Sequence, residues 1–131
     1  MSEFPTTVAA AQAARAAGMA IIMGGPNMVK GGSHSGNVSA AELAQFDLLD
    51  IFSSDYVPSS LLLATFMLGG MEHWSLPKAV RTVTRNPARA IGMADRGEIA
   101  VGQRADMVRV RMNRVGMPTV LETWLSGNRV Y

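Results

Sequence analysis

The 131-residue chain contains no cysteine. A disulfide framework and a thiolate metal site are therefore excluded, and cysteine usage says nothing about redox compartment. Charged residues are few, at 17%, whereas 48% of residues are hydrophobic, a balance that favours folding over disorder. No apolar run approaches the roughly 20 residues a membrane-spanning helix needs. No basic segment followed by an apolar stretch marks a secretory signal, so a cytoplasmic protein is the expectation. Histidine is scarce, with only His34 and His73 present. No HxH or HExxH occurs, no Walker lysine pattern, and no spacing that suggests a Ser-His-Asp set or a carboxylate pair. A complete metal site cannot be assembled from these residues alone.

The formal net charge of +2 conceals an asymmetry. Residues 1–76 carry two basic side chains, Arg15 and Lys30, against six acidic ones; residues 77–131 carry ten basic against four acidic. A basic half is one mark of nucleic-acid binding, but no aromatic-studded basic stripe accompanies it here. A solvated face or a surface for an acidic partner is the simpler expectation.

The first 57 residues alternate strand and helix signals. Ser2 to Pro5 reads as a short strand, and Thr6 or Thr7 caps an alanine-rich helix stopped by Gly18. "MAIIMG", 19–24, reads as a strand buried on both faces, followed by a long loop from Gly25 to Asn37. Ser39 and Glu42 form a capping box for a short helix. "LLDIF", 48–52, is a second buried strand, and Pro58 suits the first turn of a helix ending near Gly69-Gly70. Such alternation implies parallel strands with crossover helices, an α/β fold. Ser75 caps a further helix with Leu76, Val80 and Val83 on its buried face, and Asn86-Pro87 opens another that ends at Gly92. Beyond it Val108, Val110 and Met112 alternate with polar or flexible neighbours, and "TVLETWL-SGN-RVY" reads as a closing hairpin. The ten methionines read as core filling. Three parallel strands do not make an independent α/β domain, so the chain reads as the end of something larger.

Candidate chemistry lies after the strands, where parallel folds build their sites. Asp55 follows the "LLDIF" strand; it is either a catalytic carboxylate or the cap of the next helix. The 25–37 loop contains "GGSHSGN". Its glycines let backbone N–H groups approach an anion, Ser33, Ser35 and Asn37 add neutral donors, and Lys30 and protonated His34 add positive charge. That pattern suits a phosphate or another polyanion, or it is an unspecialised flexible loop. His73 reads as a surface or helix-end histidine. Glu3 could face a site from the first strand, and Trp74 and Trp124 lack cage-like neighbours.

"TRNPARAIGMADRGEIAVGQRADMVRV", 84–110, resembles the C-terminal signature of the amidohydrolase superfamily, matching at Asn86, Pro87, Ala88, Gly92, Gly97, Ile99, Gly102, Ala105 and Asp106. "SEFPTT", "MGGPNMVKGGSHSGNVSA" and "DIFSSDYVPSSLL" together resemble one subfamily, the diphosphatases that cleave alpha-D-ribose 1-methylphosphonate 5-triphosphate in the carbon–phosphorus lyase pathway. The resemblance implies an α/β fold that is the C-terminal part of a (β/α)8 barrel. Residues 1–94 would supply strands six to eight with their helices, and 95–131 the C-terminal strands of a composite β-sandwich. It implies that Asp55 is a metal ligand and proton acceptor, and that Lys30, Gly32, Ser33, His34, Ser35 and Asn37 face the substrate. A divalent metal ion, of zinc or manganese type, would take its remaining ligands from outside this chain. The expected reaction is attack of water on the triphosphate, releasing pyrophosphate and leaving the 5-phosphate. Expected partners are that phosphorylated ribose phosphonate, with no nucleic acid or membrane, and either a second copy of the chain or a missing N-terminal half. Met1 stands where an ordinary strand residue is expected, so the chain is expected to be a fragment, inactive and without tight metal binding by itself. The alternatives are a fragment of another amidohydrolase, a cyclic-amide hydrolase or deaminase, and a non-catalytic module that pairs with a separate N-terminal half. Replacing His34 by alanine in a full-length counterpart is expected to weaken binding of the triphosphate; unchanged affinity would remove the anion-cradle reading of the loop.

Overall fold

The computed structural model describes residues 1–33 and 35–131, so His34 lies outside the described residues. Two three-stranded sheets organise the chain. The first has strand order β1-β2-β3, from Ser2–Glu3, Ile21–Gly24 and Ile51–Ser53. Both pairings are parallel, with Ser2 opposite Ile21 and Met23 opposite Phe52. Each strand therefore needs a crossover before the next can pair, and all three leave the sheet at the same edge.

The crossovers form where short-range signals allow. α1, Val8–Ala16, is capped by Thr7, whose hydroxyl accepts from the Ala10 N–H at 3.1 Å. α2, Gly25–Lys30, corrects the expectation of a continuous loop from Gly25 to Asn37. Pro26 in the first turn and Gly31 at φ +80° are the start and stop of a six-residue helix, a composition easily taken for loop. α3, Ala40–Gln45, starts at Ser39, whose hydroxyl accepts from the Glu42 N–H at 3.0 Å. α4, Ser60–Gly69, begins two residues beyond Pro58, which lies in the preceding turn. α5, Leu76–Arg81, is capped by Ser75 through the Lys78 N–H, and α6, Arg85–Ala90, follows.

The apolar core lies wholly within this first part, among Ala11, Ile21, Met23, Leu43, Phe52, Ala64, Leu68, Trp74 and neighbours. Two expectations about it need correction. On α5 the buried residues are Ala79 and, just beyond, Thr82, whereas Leu76 and Val80 are exposed. Of the ten methionines only Met23 and Met28 are buried, and seven are exposed. Alanines on α1, α3, α4 and α5 let the elements approach closely, which leaves few irregular gaps for long side chains to fill. Buried Trp74 donates its indole N–H to the Ala44 carbonyl at 3.0 Å, and the Lys78 ammonium lies over its ring at 4.1 Å.

Asp50 ties four elements together. Its carboxylate accepts from the Ile21 N–H at 2.8 Å and pairs with Arg15 of α1 at 3.0 Å. Its own N–H donates to the Ile21 carbonyl, and its carbonyl accepts from the Asn86 amide of α6 at 2.8 Å. Asn86 belongs to the 84–110 segment, in which Gly97, Ala105 and Asp106 also have structural roles. Gly97, at φ +96°, has no room for a side chain, since a Cβ would lie 2.7 Å from the Arg85 Cα. The Asp106 carboxylate accepts from the Arg104 guanidinium and from the Ser126 N–H at 2.8 Å, and Gly127 N–H donates to the Ala105 carbonyl. Nearby, the Arg96 guanidinium holds the Asp95 carboxyl below its usual pKa.

The second sheet is antiparallel, formed by β4, Met107–Met112, β5, Pro118–Leu125, and β6, Asn128–Arg129. A bulge interrupts β4 and β5 between Arg109 and Val110, and Ser126-Gly127, both at positive φ, close the hairpin. Among the described residues none after Ala88 is buried, and Ile99 and Val101 are 92% and 106% exposed. No described helix is long and apolar enough to cross a membrane. Replacing Asp50 by alanine leaves the Ile21 N–H without its acceptor and Arg15 with the Asp47 carbonyl but no carboxylate, and is expected to lower stability by about 2–3 kcal/mol in urea denaturation.

Candidate functional site at the strand exits

Parallel pairing brings the ends of β1, β2 and β3 to one edge, where Phe4, Gly24 and Asp55 meet. A Cβ built on Gly24 would lie 3.2 Å from Asp55 Oδ2 and 3.5 Å from the Phe4 ring. Only hydrogen at that position leaves both side chains where they are. Phe4 and Asp55 both hold the left-handed backbone conformation, at φ +53° and +49°. That conformation costs an L-residue about 1–2 kcal/mol, so Asp55 is held under strain at an exposed strand exit. Strain of this kind concentrates at functional positions. The capping alternative for Asp55 is excluded, because α4 begins only at Ser60 with Ser59 as its cap. Among the described residues the Asp55 carboxylate has no hydrogen-bond or ion-pair partner.

Two adjoining clefts open here. One, of about 170 Å³, is lined by Phe4, Gly24, Asn27, Ser33, Asn37 and Asp55, among others. The second, of about 190 Å³, is lined by Pro26, Asn27, Lys30, Gly32, Ser33, Ser35, Asp55 and Tyr56. Asp55, Ser33 and Asn27 are common to both. The Lys30 ammonium donates to the Tyr56 hydroxyl at 2.8 Å and lies 5.2 Å from its ring, so the cation is steered to the mouth of the second cleft. Val38 N–H donates to the Thr6 carbonyl, anchoring the far end of the 31–37 segment beside β1.

Of the residues singled out in the sequence, Asp55, Lys30, Gly32, Ser33, Ser35 and Asn37 therefore share one pair of clefts. His34 lies outside the described residues. Glu3 ends β1 but is exposed and does not line either cleft. His73 is a surface residue beside Glu72, with its side chain 83% exposed. The backbone part of the anion expectation is corrected. The N–H groups of Gly31 and Gly32 donate to carbonyls of α2, and that of Gly36 donates to the Ser33 carbonyl. Gly31 and Gly36 instead serve the reversal of the chain, at φ +80° and +71°. Polar side chains remain as the donors; the Ser33 hydroxyl accepts from the Ser35 N–H and keeps its own proton to give. Sequence reasoning missed Asn27, Gly24, Tyr56 and Phe4. Asn27 was hidden by taking α2 for loop, Gly24 by its dependence on side chains that reach it from the other strand exits, and Phe4 by its apolar character; adjacency to Asp55 was the one signal for Tyr56.

Among the described residues no group of three or more His, Asp or Glu side chains could hold a metal ion. What the arrangement offers is one exposed carboxylate sharing clefts with hydroxyl, amide and ammonium groups at the carboxyl edge of a parallel sheet, the edge where such sheets bind ligands.

The chain belongs to the amidohydrolase family, whose model matches residues 6–131. Over its full length it is 50% identical to the alpha-D-ribose 1-methylphosphonate 5-triphosphate diphosphatase of Escherichia coli (strain K12), of which it covers 35%. It is 51% identical over 49 residues to the imidazolonepropionase of Ruegeria pomeroyi, matching 37% of this chain and 12% of that relative. The imidazolonepropionase of Deinococcus deserti is 34% identical over 87 residues, matching 61% of this chain and 20% of that relative. The chain thus spans about a third, or less, of the length of these curated relatives. No solved structure matches it.

Strain at Asp55 makes a simple expectation. Asp55→Gly relieves the left-handed backbone and is expected to leave stability unchanged or raise it by up to about 1 kcal/mol. Chemical denaturation checks this; a loss above that size would make the carboxylate a structural support instead.

Proposed function

We propose that the chain is the C-terminal part of a metal-dependent phosphohydrolase that converts alpha-D-ribose 1-methylphosphonate 5-triphosphate to the 5-phosphate and pyrophosphate. The observation that carries this reading is the meeting of Asp55 with Lys30, Ser33, Ser35 and Asn37 in one pair of clefts. The 50% identity across the whole chain to a diphosphatase of that name supports the choice of substrate. A hydrolase of neutral cyclic amides has little use for such a set of donors, and the likeness to imidazolonepropionases covers less of the chain.

In this reading residues 1–94 supply the last three β/α units of a (β/α)8 barrel, and residues 95–131 supply strands of a small sandwich. The open edges of β1 and β3 and the sheet of β4 to β6, with no buried residue, support a further segment packing on both. Asp55 would hold a divalent metal ion, with the remaining ligands supplied from outside the chain. The Asp55 carboxylate, exposed and without a partner among the described residues, fits that duty. When bound, the ion supplies positive charge against which negative charge on the phosphoryl oxygens develops.

The chain's own residues do the rest. Lys30, held by Tyr56, and the Ser33, Ser35 and Asn37 side chains bind the outer phosphoryl groups and orient the chain of phosphates, and His34 adds a donor. Water attacks the α-phosphorus, a new P–O bond forms there, and the bond from that phosphorus to the bridging oxygen breaks. Pyrophosphate leaves with that oxygen. Asp55 accepts the proton that the water gives up. Gly32 lines the cleft without a side chain and so lets the phosphates pass close to the backbone.

The test is to assemble the chain with the upstream two thirds of the Escherichia coli relative and to measure pyrophosphate release from the triphosphate. Release should require a divalent cation, and Asp55→Asn should lower kcat by about 10³-fold. Activity unchanged in that variant would remove Asp55 from the mechanism, and metal-dependent turnover by the 131-residue chain alone would overturn its status as a part.

A further inference from the structure

Asn27 sits where α2 and the 31–37 segment come together, and it fastens both ends of that segment. Its backbone carbonyl accepts from the Gly32 N–H at 3.0 Å, and its side-chain Oδ1 accepts from the Ala40 N–H at 2.7 Å. A backbone N–H can only donate, so the amide oxygen is fixed on that side and the Nδ2 group on the other. Among the described residues Nδ2 has no acceptor, and it is not a buried orphan. Asn27 lines both clefts, a property it shares with Asp55 and Ser33.

The chemistry of the residue narrows its role. A clasp needs only an acceptor, and an aspartate or serine would serve Ala40 as well. An amide is the side chain that accepts from Ala40 and still offers two hydrogens to the shared wall of the clefts. A neutral donor there lines the same two clefts as the exposed carboxylate of Asp55, and no hydrogen bond joins the two. The clefts the two residues share can admit a ligand oxygen, and an anionic oxygen makes the stronger bond with an amide donor.

We infer that Asn27 is a ligand-binding residue: its Nδ2 donates to a phosphoryl oxygen of the bound polyphosphate, next to the centre that Asp55 serves. The inference rests on the anion-binding reading of the clefts and adds to it one further donor.

Titration of the ¹⁵N-labelled chain, assembled with the upstream two thirds of the Escherichia coli relative, with inorganic tripolyphosphate, followed by NMR, tests this. The Nδ2 hydrogens of Asn27 should move downfield together with the Ser33 and Ser35 resonances. Asn27→Asp keeps the acceptor for Ala40 and removes the donor; it should retain the native Tm and bind about tenfold or more weakly. Asn27→Ala removes both and should lower Tm as well as affinity. Saturation of Ser33 and Ser35 with no movement at Asn27 Nδ2 overturns the inference and leaves the cleft as an anion site. Loss of affinity in the alanine variant alone also overturns it, since the role would then be that of a clasp. No movement at any cleft residue overturns the anion-binding reading, and this inference with it.

Discussion

The carboxylate of Asp50 is the contact on which the rest of the first sheet depends. It bonds the Ile21 N–H at the start of β2 while its own backbone exchanges a bond with Ile21 and reaches Asn86. Arg15 of α1 closes the charge. One partly buried acid therefore sets the registry of β2 and β3 and fixes two helices against them. Hydrogen bonds to a charged acceptor are stronger than neutral ones, which explains why so short a sheet can be held by one residue. The Phe52 N–H, bonded to the Thr82 carbonyl, adds the end of α5 to the same assembly.

With β2 and β3 in register, Gly24 stands opposite Ser53, and the next residues of each chain turn away at the same edge. The site is a consequence of that alignment. Gly24 must be small because Asp55 and Phe4 converge on it, and Asp55 must take a left-handed conformation to present its carboxylate there. Gly25 is under a similar constraint, since a Cβ would come within 2.5 Å of the Ser60 hydroxyl of α4. The close packing of α2 on α4 and the opening of the clefts thus share two neighbouring glycines. The left-handed backbone at Asp55 is tolerated because the packed core beneath it holds the strand exit in place.

The second sheet follows a different logic. Hydrogen bonds of Asp106, Ala105 and Gly127 fasten its hairpin to the 84–110 segment, and a network of Arg85 and Arg89 with Glu98 steadies the approach. It has ladders and charges but no buried residue. Backbone bonds specify its shape, and apolar burial contributes little to it, which agrees with the reading that another segment covers it.

What the sequence determined by itself is local or strongly patterned. Thr7, Ser39 and Ser75 cap their helices through N–H groups three residues away, so the signal lies within one turn. Alternating apolar runs and helices specified the parallel sheet, and the Asn86-to-Asp106 segment was legible because its steric demands, as at Gly97, leave little choice of residue. Asp55 was legible from its place after a strand. Only the tertiary structure decided the rest. α2 was hidden because a six-residue helix bounded by glycine and proline has no room for a hydrophobic period. The glycines of the 31–37 segment read as anion donors until their N–H groups were found bonded within the chain. Asn27 gained its position from a bond to Ala40, thirteen residues on, and Gly24 from Asp55, across the sheet. Contacts of that range depend on how the strands register, and register is a property of the folded sheet rather than of any stretch of residues.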